Sequence, residues 1–123
     1  MELLPEGLRD KLPQLGTNSE GSPEDLTVHT RLVDPASNWR WYILEFDGDD
    51  TCYGLVVTSK NALIGHFTIS ELKALRYHDP ALGTVGIERD TYFEAVSLGE
   101  LMEKEPKIRQ AFTPSGLDLI DLE

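Results

Sequence analysis

Apolar positions along this chain change their period several times, and each change marks an element. Leu4, Leu8 and Leu12 recur at helical spacing, with Pro5 near the start and Pro13 just beyond the end, which predicts a short docking helix. Residues 16–25 are polar and rich in turn formers, the composition of a mobile loop. Residues 26–33 then alternate, with Leu26, Val28, Thr30 and Leu32 on one face, before Asp34-Pro35-Ala36-Ser37-Asn38 supplies a turn. Residues 39–46 are aromatic-rich and almost continuously apolar, as a strand covered on both faces must be. The tight turn Asp47-Gly48-Asp49-Asp50 leads to a strand over 51–58, and Ser59-Lys60-Asn61 leads to another over 62–67. These four segments predict an antiparallel meander.

At Thr68-Ile69-Ser70-Glu71 the period changes again. Thr68 can accept from the Glu71 amide while the Glu71 carboxylate reaches back, a capping box, and Phe67 with Leu72 fits a hydrophobic staple. The helix should run from residue 69 to about 76 with Leu72 and Leu75 inward. Residues 77–86 read as a loop and 87–93 as a resumed extended run. Ser97-Leu98-Gly99-Glu100 repeats the cap signal for a short helix that Pro106 interrupts. The fold class expected is α+β: a central antiparallel meander of four or five strands packed by a few short helices. Residues 1–112 would form one domain, and 113–123 an acidic, leucine-rich tail.

Composition narrows the class without naming a function. A chain of 123 residues is long enough for one hydrophobic core. It has no apolar run of the roughly 20 residues that a membrane-spanning helix needs, and no signal-peptide start, so a cytoplasmic location is the default expectation. Cys52 is the single cysteine, which excludes an intrachain disulfide, and its apolar surroundings suit a small buried hydrophobe. The net charge is −11, with 11 bases against 22 acids, which argues against direct nucleic-acid binding and favours a partner with a basic surface. Residues 1–25 and 113–123 hold −7 of that charge, so the excess is concentrated in the two arms.

Several groups of residues carry conceivable chemistry. Glu45, Asp47, Asp49 and Asp50 gather carboxylates around a hairpin tip, the oxygen type that hard divalent cations prefer, although the twelve-residue calcium-loop series is missing. Asp-Gly turns also arise for backbone reasons alone. Glu88 and Asp90 share one face of a strand with Arg89 opposite, a pattern that suits either split carboxylate pKa values or a structural ion pair. His29, His66 and His78 have no metal-ligand spacing, and no serine stands in a nucleophile elbow. Gly65, Gly83, Gly86 and Gly99 read as residues of turns and element ends, and no phosphate loop is present. Trp39, Trp41, Tyr42 and Phe46 could make a binding face but suit a core better. Leu119, Ile120, Asp121, Leu122 and Glu123 alternate apolar and acidic character, which suits docking in a groove or on a sheet edge. No catalytic residue, metal ligand set or cofactor is assigned.

Five blocks, taken in order and spacing, carry a family resemblance. They are the leader Leu3-Leu4-Pro5-Glu6-Gly7-Leu8-Arg9, residues 41–50, Tyr53-Gly54-Leu55-Val56, residues 65–72 and residues 86–93. Over roughly residues 1–102 the chain resembles the bacterial domain-of-unknown-function family 2958. The resemblance implies a gene that sits on plasmids and other mobile elements beside antirestriction and conjugation genes. It supplies no catalytic residue, and it leaves the loop 16–25 and the extension 103–123 unexplained. The leading expectation is a small acidic accessory protein that binds another protein, linked to mobile elements or to defence and antidefence. The alternatives are a small metal-dependent hydrolase or nucleotide-handling enzyme built on Glu45, Asp47, Glu88 and Asp90, and a DNA mimic.

Overall fold

A computed structural model of the chain describes residues 2–17 and 22–112. A one-turn helix α1 (Glu6–Arg9) precedes strands β1 (Thr27–Val28), β2 (Thr30–Val33), β3 (Arg40–Phe46), β4 (Thr51–Val57) and β5 (Ala62–Thr68). Helix α2 (Ile69–Ala74), strands β6 (Arg76–Asp79), β7 (Gly83–Gly86), β8 (Glu88–Arg89) and β9 (Val96–Ser97), helix α3 (Leu98–Lys104) and a 3-10 helix (Pro106–Phe112) follow. Strands β2 to β5 form the expected antiparallel meander, and β8 joins it beside β2 to give the order β5-β4-β3-β2-β8. The architecture is α+β.

Strand β3 sits at the centre because nearly everything along it is apolar, and from Trp41 to Phe46 every residue is buried. Its side chains divide the core. Trp41, Ile43 and Phe46 face Leu3, Leu4 and Leu12 of the leader and Ile69 and Leu72 of α2. Tyr42 and Leu44 face Leu98, Leu101 and Met102 of α3 and Ile108 beyond it. The alternation is broken once: Ile43 pairs with Gly54 and Glu45 with Tyr53, so Leu44 is an extra residue, a β-bulge. Gly54 opposite this irregularity has no room for a side chain, because a Cβ there would lie 2.0 Å from the Tyr42 carbonyl oxygen.

Terminal signals behave largely as their chemistry dictates. Thr68 and Glu71 form both halves of the capping box, at 3.1 Å each, and Phe67 and Leu72 meet in one cluster. Ser97 accepts from the Glu100 amide at 3.1 Å to open α3. The leader docks as expected, although its helix spans only Glu6–Arg9 and single turn bonds carry the chain on to Leu12.

Four expectations need correction. The extended run 26–33 is two strands, because β1 leaves the main sheet to pair with β9. Helix α2 stops at Ala74, and Leu75, expected inward, is 47% exposed, since the backbone turns extended there to start β6. Residues 77–86 are not an open loop: β6 and β7 form a hairpin whose turn is held by Asp79 accepting from the Ala81 and Leu82 amides, with Gly83 at φ +83°. That is the three-residue hairpin turn closed by a left-handed glycine. Gly65 lies in the middle of β5, not at an element end. The loop expected over 16–25 includes residues 18–21, outside the described residues, and 23–25 make a short 3-10 turn. Among the described residues no helix is long and apolar enough to cross a membrane.

Candidate functional site

The acidic turn between β3 and β4 is built mostly for the fold. The bulge at Leu44 leaves Glu45 beside it on the α3 face, 3% exposed, where its Oε1 accepts from the Gly16 amide at 2.8 Å. Asp47 turns back over its own loop, and Oδ1 accepts from the amides of Asp49, Asp50 and Thr51 at 2.8, 2.9 and 3.1 Å. Those backbone donors, the Asp49 amide foremost, hold its carboxyl below the usual carboxylate range. Asp50 reaches α2: Oδ1 accepts from the Ser70 amide at 2.9 Å and Oδ2 from its hydroxyl at 2.6 Å. Asp49 lies in a shallow cleft with Glu2, Arg9 and Lys73.

The second acidic group is set apart from the first. Glu88 and Arg89 make up β8 at the sheet edge, where Arg89 donates to the Glu2 carbonyl at 3.3 Å. Asp90 bonds the Arg31 backbone and forms an ion pair with the Arg31 guanidinium. Arg31 lies level with Tyr42 on β3. Asp47 is five residues further along, roughly 17 Å, and two strand spacings across, roughly 10 Å. Glu45 and Asp47 therefore do not converge with Glu88 and Asp90. Among the described residues no three His, Cys, Asp or Glu side chains gather as a metal ion would require.

A polar layer on the α3 face takes in Tyr42 and Asp90, but joins them to Arg31, Arg40 and Glu105, which were not among the candidate residues of the sequence. Tyr42, buried at the sheet centre, donates its hydroxyl to Glu105 Oε2 at 2.9 Å and accepts from Arg40 Nε at 3.3 Å. Arg40 closes the triangle through an ion pair with Glu105. On the other side Arg31, paired with Asp90, lies 6.0 Å from the Tyr42 ring centre and 5.3 Å from that of Phe93. Burial pushes the Tyr42 phenol up, with Glu105 adding to the effect, so it stays a neutral donor. Burial acts to raise Glu105 and Asp90, but bonding to Arg40 and Tyr42 in one case and to Arg31 in the other outweighs it and holds both carboxyls below their ordinary values. Both guanidinium groups thus meet carboxylates of this same chain. The local hint was the presence of Arg31 and Arg40 on otherwise apolar strands; Glu105, which completes the layer, lies 65 residues away and gives no local sign.

Other candidates resolve simply. Cys52 is buried and its thiol is pushed up to about 12, by burial first and then by Asp47 and Asp50, so it is no thiolate nucleophile at neutral pH. Trp41, Tyr42 and Phe46 are core, whereas Trp39 is exposed and tilts against Trp41 at 6.2 Å. Residues 119–123 lie outside the described residues.

What the surface offers is apolar side chains on fixed backbone. Tyr92 is 92% exposed, yet its amide donates to Asp90 Oδ1 at 3.0 Å and the next residue, Phe93, is held against Tyr42 and Arg31. Sequence reasoning passed over Tyr92, because exposure of an aromatic in an extended run leaves no pattern of its own. Tyr77, on the β6–β7 hairpin, donates to both oxygens of Asp34 at 2.8 and 2.9 Å.

No curated protein and no solved structure matches the chain. A family model described as Protein of unknown function (DUF2958) matches residues 3–104, from the leader through α3, and the chain belongs to that family.

Proposed function

We propose that this chain is a non-enzymatic accessory protein that binds another protein through a basic surface on that partner. The supporting observation is Tyr92: a nearly fully exposed aromatic on a turn pinned by Asp90 and Phe93, with Glu88 and Glu94 close to it in sequence. An exposed ring held in place gives large contact area at little entropic cost, and its π face with neighbouring carboxylates suits Arg and Lys. The candidate carboxylates for catalysis are, apart from Asp49 and Glu88, occupied by the chain's own amides and guanidinium groups. The gene context that the resemblance implies makes a host defence or plasmid-maintenance factor the fitting kind of partner.

The test is capture of partners from a bacterial lysate by the tagged chain, at low and high salt, beside Tyr92→Ala and a chain lacking residues 113–123. The expected result is one protein recovered near stoichiometry, lost at high salt and reduced at least tenfold by Tyr92→Ala. Loss on removing 113–123 with no effect of Tyr92→Ala would move the contact to the tail. An empty capture, together with a melting temperature raised by magnesium, manganese or calcium and no longer raised in Asp47→Asn, would overturn the reading in favour of a metal-dependent enzyme.

A further inference from the structure

The two edges of the sheet are finished differently. At one edge β8 is only two residues long, a common way to blunt a sheet. At the other, β5 presents seven residues, Ala62-Leu63-Ile64-Gly65-His66-Phe67-Thr68, without Lys, Pro or any formal charge. Its pairing with β4 runs unbroken from Thr51↔Thr68 to Val57↔Ala62, so no bulge twists the edge away. The Thr58 amide bonds the Asn61 carbonyl at 2.8 Å where the hairpin closes, and that fixes the alternation. Leu63, Gly65 and Phe67 bond toward β4, while the backbone groups of Ala62, Ile64 and His66 point outward, with no partner among the described residues. Thr68, next in that outward series, gives its amide to Glu71.

We propose that β5 pairs with β5 of a second copy of this chain, antiparallel about a two-fold axis at Gly65, to make one continuous ten-stranded sheet. Three features favour a second copy. All seven residues overlap in only one antiparallel register, 62 opposite 68 and 64 opposite 66, and this register pairs outward-facing residues with each other. It sets Gly65 against Gly65, where the strand carries no side chain, and it sets Leu63, 63% exposed, beside the second copy's Phe67 on the same face. Finally, it brings Lys60, just ahead of each strand, to the start of the other copy's α2, where the Asp50 carboxylate accepts from the Ser70 amide and the Glu71 carboxylate from the Thr68 amide. That charge match occurs twice by symmetry, as an isologous contact requires.

Gly65 supplies the test, because a Cβ there meets nothing within 4 Å, so a side chain can start from that position without a clash in the single chain. Sedimentation of the full chain over a wide concentration range should give twice the mass of one chain. Gly65→Lys, which puts like charges face to face on the axis, should give one chain's mass with an unchanged circular dichroism spectrum, whereas Gly65→Val should remain paired. Hydrogen exchange at the Ala62, Ile64 and His66 amides should be slow in the wild-type chain and at least tenfold faster in Gly65→Lys. A single-chain mass for the wild type would overturn the proposal. If removing residues 113–123 then produced the pair, the tail would be the strand's occupant; if it did not, the edge would be left to an extended peptide of another protein. A pair that persists in Gly65→Lys would overturn the β5 interface and place the contact elsewhere.

Discussion

The two faces of the central sheet are covered by opposite ends of the chain and held by different forces. On the leader face, Leu3, Leu4, Leu12, Leu32, Trp41 and Ile43 form an apolar layer whose stability scales with buried area. On the α3 face, apolar packing surrounds the Tyr42, Arg40 and Glu105 triangle and the Arg31–Asp90 pair, where geometry and protonation count as well. One strand serves both, so β3 is a direct comparison of dry packing and a polar layer in one protein. Contacts of the first kind tolerate changes of pH, and those of the second do not.

The largest effect should come from the residue on which both faces depend. Gly54→Ala forces a methyl group against the Tyr42 carbonyl beside the bulge, and a loss of about 4 kcal/mol is expected in denaturant unfolding. Leu32→Ala then isolates the leader face, with an expected loss of about 3 kcal/mol that stays constant between neutral and acid pH. Glu105→Gln isolates the other face, with about 2 kcal/mol lost at neutral pH. That difference must depend on pH in a fixed direction. Glu105 titrates in the folded chain below its ordinary 4.5, so its stabilisation is complete above 4.5 and disappears as the pH falls through the folded value. Unfolding curves of the wild type and Glu105→Gln should therefore converge in acid, while those of the wild type and Leu32→Ala stay parallel. Tyr42→Phe should have the smallest effect, about 1 kcal/mol, because the ring remains and one hydroxyl bond is lost.

Local chemistry made much of this fold legible. The run 39–46 predicts a doubly covered strand, and β3 is buried on both faces; Thr68 to Glu71 predicts a capping box, and both bonds are present. The β6–β7 hairpin was hidden because its strands are four residues long, Val85 is its one buried residue, and no alternation marks either strand. Its turn, Asp79-Pro80-Ala81-Leu82-Gly83, was nonetheless a readable three-residue hairpin signal. For the site, sequence placed the carboxylates along the chain but not in space. Whether Asp47 faces solvent or its own amides depends on the turn geometry, and the partnership of Arg40 with Glu105 depends on how α3 docks.

The bulge also sets a counting rule for anyone who edits this protein. Ahead of Leu44 the even-numbered side chains of β3 face α3, and after it the odd-numbered ones do, so the strand is read in two phases. Excising any interior residue outside the pair Leu44 and Glu45, which share the α3 face, would throw part of the strand onto the wrong face. Excising either one of that pair would remove the phase change and keep every remaining side chain on its face, which makes the irregular stretch of the central strand the one place where it can be shortened.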